Sequence, residues 1–398
     1  MRTIVKKFGG STLESIKDLR NVVSIVQEYL AKIDRIIIVV SARGRTTDQL
    51  ILNVSDLISI DTYETRREYD KYLAVGEQES ASTMSLMLLQ NNIRAISLLG
   101  WQIPIVTDDN YTNASIEDID VSSIYRYLEE YHVVIIAGFQ GMCRNFHITT
   151  LGRNGSDMTA IFLSLKMGLE CYIYSDVNGI YTADPKIICS AEICTKMSYD
   201  EMLPMVASGL NVLNYRAFDM AYQHNLTLRF MSKDCKQYTK LAGESKKVKV
   251  ISPSLKESCV LLKVNDSISE YIKFLSDNKI RIFFTTGHMG EMILVVDSSF
   301  LKYKGPKCTI IQKDLSMITI LAGFLSDPMH HMEDVMYILS SQKINLVMHI
   351  TYGDRLIFVV SRDELHKALK YVYEYAQQTF DSTDASIEEV NCFSPAHS

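Results

Sequence analysis

Four clusters in the sequence hold residue types suited to gripping anions. The first is Lys7-Phe8-Gly9-Gly10-Ser11-Thr12, after a short apolar run. Two successive glycines let a backbone approach a phosphate closely and offer it N–H groups. Ser11 or Thr12 can cap a following helix, whose N-terminus favours an anion, and Lys7 adds a full positive charge. A plain strand–turn–helix junction explains the same residues equally well. The second cluster, Ser41-Ala42-Arg43-Gly44-Arg45-Thr46-Thr47-Asp48, is rich in hydroxyls and reads alone as a capped turn. The third runs from Thr149 to Asp157 and ends Gly152-Arg153-Asn154-Gly155-Ser156-Asp157. Its arginine can hold a carboxylate in bidentate fashion, and Ser156-Asp157 can cap a helix beginning near Met158. The fourth runs from Ser175-Asp176 to Lys186, with turn signals Asn178-Gly179 and Asp184-Pro185 on either side of Tyr181. Tyr181 could face an adenine or ribose and Lys186 a phosphate; alone, an exposed hairpin is the better reading. No GxxxxGK[ST] loop is present, so a Walker-type site is excluded.

Short apolar runs alternating with helical patterns must position these clusters. Strands are expected at Ile4 to Lys7, Ile36 to Val40, Arg94 to Leu99, Val133 to Ala137, Glu170 to Tyr174 and Thr227 to Phe230. Helices are expected at Ser15 to Ala31, Asp48 to Ile60 and Tyr72 to Leu89. All-apolar runs such as Ile36 to Val40 suit strands buried on both faces. The pattern predicts an α/β domain with a mostly parallel, open sheet between helices, which binds ligands at its strand ends. Ser232 to Lys249 is charged, lacks an apolar period and reads as a linker. Two similar βαββ units follow, and "LSDNKIRIFF" and "LSSQKINLVM" hold matching places in them. The expected organisation is a catalytic domain at 1–235, a linker at 236–250, one α+β module at 251–311 that the last segment of the chain can complete, and a second at 312–398.

The 398 residues exceed one ordinary core. With 47% apolar and 22% charged residues the composition is that of a globular protein. A net charge of −6 argues against nucleic-acid or anionic-membrane partners. The apolar runs are too short to span a bilayer. The N-terminus reads as a strand rather than a signal peptide. Eight cysteines include no CxxC pair, so no metal site is expected and reduced thiols are.

Together the motifs are similar to those of aspartokinases, in the amino-acid kinase superfamily. "KFGGST", "SARGRTTD", "VGE" (Val75 to Glu77), "AGFQG" (Ala137 to Gly141), "TTLGRNGSD", "YSDVNGIYTADPK", "MSYDEM" and "VLNYRA" stand in that family's order and rough spacing. Glutamate 5-kinases and acetylglutamate kinases share the glycine loop but not this arrangement. The resemblance covers essentially the whole chain, the two C-terminal units resembling ACT modules. It implies a cytoplasmic enzyme that phosphorylates the side-chain carboxylate of L-aspartate with ATP and Mg²⁺, as a homodimer joined through ACT modules. By resemblance Lys7 and Asp157 are catalytic, and Lys7, Phe8, Gly9, Gly10, Ser41, Ser156, Ser175, Asp176, Tyr181, Asp184 and Lys186 surround the nucleotide. Ser41, Thr47, Glu77, Phe139, Arg153, Asn154, Gly155 and Ser156 line the aspartate pocket, Arg153 on the α-carboxylate and Glu77 on the α-ammonium.

The sequence departs from the family at several points. Asn154 replaces a glycine, Asn211 replaces a lysine near the nucleotide, and Asn214-Tyr215-Arg216 replaces His-Pro-Arg. In the first ACT-like module Phe283 and His288-Met289 replace the Asp and the Ser-Glu pair of lysine-inhibited relatives, so weak or absent lysine inhibition is expected. Two other functions compete: a kinase for another small carboxylic acid, and a regulatory amino-acid-binding paralogue with little activity.

Overall fold

The computed structural model describes all residues except Met1, 176–178, 208–212, 214, 233–236, 244–249, 254–257, 265–267, 279, 281, 289–290, 304, 322–327, 353–354 and 380–398. The chain forms two compact units. The first runs to Ile180 and resumes from Val212 to Glu244; the second takes Tyr181 to Asn211 and continues from Ser245.

In the first unit β1 (Thr3–Phe8) leads through a 3₁₀ turn at Gly10–Thr12 to α1 (Ile16–Leu30) and β2 (Arg35–Val40). Then come α2 (Thr46–Ser55), α3 (Tyr63–Leu73), α4 (Val75–Gln90), β3 (Ala95–Leu98), β4 (Ile105–Thr107), β5 (Ile116–Ile119), α5 (Val121–Glu130) and β6 (Val133–Ala137). β7 (Gln140–Cys143), β8 (Ile148–Thr150), α6 (Gly155–Met167) and β9 (Cys171–Tyr174) follow. The chain contributes β10 (Lys196–Met197) and α7 (Tyr199–Ala207) to the second unit, then returns with α8 (Tyr215–Gln223), β11 (Leu228–Met231) and β12 (Tyr238–Leu241).

Within this unit the main sheet has the order β12-β11-β9-β1-β2-β6-β3. Every pairing is parallel except β11 with β12. Residues 36–40 and 133–137 are fully buried, as all-apolar central strands between helical layers should be. A smaller sheet, β5-β4-β7-β8, carries the chain from β6 towards α6.

The second unit adds β13 (Val250–Pro253), β14 (Cys259–Val264), α9 (Ile268–Asp277), β15 (Ile282–His288), β16 (Glu291–Asp297) and β17 (Thr309–Leu321). It ends with α10 (Pro328–Ser341), β18 (Leu346–Tyr352), β19 (Arg355–Ser361) and α11 (Leu365–Thr379). One antiparallel sheet, β15-β16-β14-β17-β19-β18, holds both βαββ modules, and β13 also pairs with β17. The repeat is physical as well as textual. Leu275 and Leu339 are buried at matching places, and their carbonyls accept the N–H groups of Ile280 (2.8 Å) and Ile344 (2.9 Å).

Several local expectations shift. Ser15, not Ser11 or Thr12, caps α1, in a reciprocal box with Asp18. The helix expected over Tyr72 to Leu89 is two helices broken at Ala74, after which Gly76 passes so close to the Ala42 side chain that a Cβ there would lie 2.8 Å from it. α6 begins at Gly155, not near Met158, with Asn154 at its cap position in the left-handed conformation (φ 59°). Tyr238–Leu241, inside the stretch read as a linker, forms β12. The strand expected from Met317 starts at Thr309.

Candidate active site

The central strands are in register at their C-terminal ends. Phe8 pairs with Val40 and with Tyr174, and Val40 with Ala137. The chain therefore leaves four adjacent strands at one level, at Gly9, Ser41, Gly138 and Ser175, where parallel sheets bind ligands.

β1 puts successive side chains on opposite faces. Lys7 reaches Asp157 in the first turn of α6, its Nζ lying 2.6 Å from Oδ1 with both side chains about nine-tenths buried. Gly9 donates its N–H to the Tyr174 carbonyl (3.0 Å), and a Cβ added there would come within 3.4 Å of the Lys7 Nζ. At Gly10 a Cβ would lie 2.7 Å from the Ala42 carbonyl and 2.9 Å from that of Gly44, so a side chain would force the two loops apart. Gly10 O accepts the Gly44 N–H (2.9 Å), and Phe8 O accepts the Ser41 N–H (3.1 Å). These bonds tie the glycine turn to the second cluster. Arg43 braces the same junction by donating to the carbonyls of Leu13 (3.1 Å) and Glu14 (3.2 Å).

Glu77, in the first turn of α4, accepts the Ala42 N–H on Oε1 at 2.9 Å. Its Oε2 is buried with no hydrogen-bond partner among the described residues. Burial pushes this carboxyl up to about 8, against the pull of the Ala42 N–H and the Lys7 charge. A buried, half-paired carboxyl of this kind is a ready partner for a cationic group.

The third cluster closes the set. A Cβ at Gly138 would lie 2.7 Å from that of Ser156, and one at Gly155 would lie 3.0 Å from the Phe139 ring. Phe139 has φ 66°, and its carbonyl accepts the Leu151 N–H (2.9 Å). The N-terminus of α6 thus abuts the end of β6, its dipole favouring negative charge. Lys7, Gly9, Gly10, Ser41, Glu77, Phe139, Gly155, Ser156 and Asp157 are joined by these contacts. Phe8 stacks on Tyr174 (4.6 Å between centroids) beneath the glycine turn. Thr47 is half-buried in the first turn of α2, and Arg153 and Asn154 are exposed on the loop into α6. Ser175 is half-buried beyond β9. Tyr181, Asp184 and Lys186 belong to the second unit, where Asp184 accepts the Lys186 N–H (2.8 Å). Asp176, Asn211, Asn214 and Met289 lie outside the described residues.

Sequence reasoning passed over Gln140, fully buried with its Nε2 on the Ala74 carbonyl (3.1 Å), and Asp70 and Arg216, which fasten the Asn113 loop. Gln140 and Arg216 stood inside quoted motifs without a role assigned to them; Asp70 gave no local signal. Among the described residues no group of three or more His, Cys, Asp or Glu could hold a metal ion. No helix among them is long and apolar enough to cross a membrane.

The amino acid kinase family model matches residues 2–232. An aspartokinase of Geobacillus stearothermophilus is 41% identical over 233 residues, covering 58% of this chain and 56% of its own length. One of Rickettsia conorii is 38% identical over 233 residues, covering 58% of each chain. The chain thus spans less than two thirds of the curated relatives it matches. The structure of E. coli aspartokinase III in complex with aspartate and ADP covers 94% of this chain and 99% of its own, with a TM-score of 0.71 at 17% identity. That of the same protein with lysine and aspartate gives a TM-score of 0.73 at 18% identity, with the same coverage. At such identity the likeness is one of fold, and it includes the antiparallel modules expected to be ACT-like.

Proposed function

The chain belongs to the amino acid kinase family, and from that premise we propose that it is an aspartate kinase, moving the γ-phosphoryl group of ATP onto the side-chain carboxylate of L-aspartate. One observation carries the reading: the buried Lys7–Asp157 pair stands at the glycine turn, at the same strand ends as Glu77, Phe139 and Ser156. Curated relatives named aspartokinase over the same stretch support aspartate as the acceptor.

The chemistry suits these residues. The acceptor carboxylate has a pKa near 3.9 and is already an anion at neutral pH, so no general base is needed. The difficulty is bringing two anions together and stabilising the oxygens in flight. Lys7, held by Asp157, supplies a fixed cation; the glycine turn and the N-terminus of α6 supply N–H groups. Arg153 would take the α-carboxylate and Glu77 the α-ammonium, the Glu77 carboxyl ionising as that cation arrives. ATP enters as its Mg²⁺ complex, whose cation neutralises phosphate charge when bound.

The reading includes a cytoplasmic dimer joined through the second unit. β15 and β18 end its sheet, and an open strand edge invites a second copy; the thiols of Cys143 and Cys171, which form no disulfide, suit a reducing compartment. The test is a hydroxylamine trap. Purified protein with ATP, Mg²⁺ and aspartate should yield aspartyl hydroxamate, and glutamate or N-acyl amino acids should yield little. Hydroxamate from one of those acids in preference to aspartate, or from none, would overturn the assignment.

A further inference from the structure

One buried carboxylate lies outside the set above. Asp70, in α3, has no exposed surface. Its Oδ2 accepts the backbone N–H groups of Thr112 (2.9 Å) and Thr150 (2.7 Å). Its Oδ1 accepts the Thr150 hydroxyl (2.7 Å) and lies 3.0 Å from the Thr112 nitrogen. Hydrogen bonds to a carboxylate are about twice as strong as neutral ones, and here they join segments 42 and 80 residues distant in sequence.

Thr150 lies at the base of the loop that carries Arg153, and Thr112 in the loop between β4 and β5 that packs on it. Thr150 ends β8, and the chain then runs through Gly152, Arg153 and Asn154 into α6. Thr112 is β-branched yet held at φ 70°, a strained conformation that persists only where its surroundings impose it. The loop it opens is pressed on the Arg153 loop. Ala114 donates to the Thr150 carbonyl (2.9 Å), and at Gly152, with φ 77°, a Cβ would lie 2.8 Å from Asn113 Oδ1. From the other side Arg216, in α8, donates to Asn113 Oδ1 (2.8 Å), Ser115 Oγ (2.9 Å) and the Ala114 carbonyl (3.3 Å). An anion on α3 and a cation on α8 therefore grip the same loop.

We propose that Asp70 is a positioning residue for the acceptor amino acid: through Thr112 and Thr150 it fixes the 151–155 loop, and with it the Arg153 guanidinium that meets the substrate α-carboxylate. The inference rests on the aspartate reading of the site. Asp70 does not touch substrate, so its removal changes where Arg153 stands rather than how the phosphoryl group is transferred.

Asp70→Asn keeps the shape but turns an NH₂ donor on groups that need an acceptor. The KM for aspartate should rise roughly tenfold or more. The KM for ATP, and kcat at saturating aspartate, should stay within about twofold. Thr150→Val deletes only the hydroxyl bond and should give the same pattern at smaller size, so the result does not hang on one variant folding. Lowered thermal stability in both variants with an unchanged aspartate KM would overturn the proposal, as would a fall in kcat alone. If the wild-type chain fails to phosphorylate aspartate, the acceptor reading falls by itself and amide exchange over residues 149–157 becomes the readout. Faster exchange there in Asp70→Asn than in wild type upholds the clamp; equal exchange overturns it.

Discussion

On the aspartate reading of the site, Glu77 makes substrate affinity a function of pH. Its carboxyl is 3% exposed, one oxygen bonds the Ala42 N–H, and the other has no partner among the described residues. Burial raises it from 4.5 to about 8, so at pH 7 it is mostly protonated. An α-ammonium placed on the open oxygen favours the ionised form, and binding then releases a proton. The bound state holds fewer protons than the free one, so affinity rises with pH until the free group has ionised. With a free-state value near 8, the cost at pH 7 is about 1.4 kcal/mol, or roughly tenfold in KM. The KM for aspartate should fall about tenfold per pH unit well below 8 and level off above it. Folding responds in the opposite sense for the same group: between 4.5 and about 8 the unfolded chain has lost the proton and the native one keeps it, so this contribution to stability declines as pH rises. The assay is initial rate against aspartate from pH 6.5 to 8.5 at saturating MgATP, with Glu77→Gln beside wild type. The variant should bind aspartate weakly and without the slope. A wild-type KM that is flat across that range, or an unchanged slope in Glu77→Gln, would refute the argument.

Other outcomes follow from particular contacts. Lys7→Met should cut turnover by about 100-fold or more and, by leaving Asp157 buried without its cation, destabilise the protein by about 3–5 kcal/mol; Lys6→Met should keep activity, and hydroxamate rates with denaturation midpoints separate the two. Gly10→Ala places a methyl 2.7 Å from the Ala42 carbonyl, so the KM for ATP should rise by on the order of tenfold; an unchanged value would show that the turn yields without cost. Lysine at 1 mM, roughly the ceiling for an effector of ordinary affinity, should leave the rate unaltered. By the sequence resemblance Phe283 takes the place of an acidic group of lysine-inhibited relatives, and in the structure it packs on the Cys259, Leu261 and Val295 cluster; half-inhibition below that level would count against this.

The parts of the fold legible in sequence are those whose burial is symmetric. Ile36 to Val40 and Val133 to Ala137 show as strands because both faces are covered and every position is apolar. β17 was half hidden. Its first stretch, Thr309 to Asp314, mixes Gln312, Lys313 and Asp314 with apolar residues, and Asp314 at φ 53° sits where the pairing with β14 shifts register. Such an interruption breaks the period-two signal that marks a strand. β12 was missed for a similar reason: a strand of four residues flanked by charge carries too little apolar pattern to stand out from a linker. Asp70 lay in "REYDKYL", which looks like an exposed helical face, because the residues that bury it come from 42 and 80 positions away.

The adjacent lysines show where local sequence stops and packing decides. In "VKKFGG" Lys6 and Lys7 are equivalent by composition, and either could be the cation of the glycine turn. The pleat sends them to opposite faces of β1, and what waits on each face sets their roles. Lys7 meets Asp157, an acidic partner at a helix N-terminus open towards the strand ends. Lys6 is fully buried in an aromatic cage: its Nζ donates to the Tyr174 hydroxyl at 2.5 Å and lies 3.1 Å from the centre of the Tyr29 ring and 4.7 Å from that of Tyr172. Ring faces attract a cation but leave it no room to reach a ligand. One lysine is therefore a structural tie between β1, α1 and β9, and the other a charge held ready at the site. The difference follows from a tyrosine in α1 and an aspartate in α6, neither of which lies near the lysines in sequence.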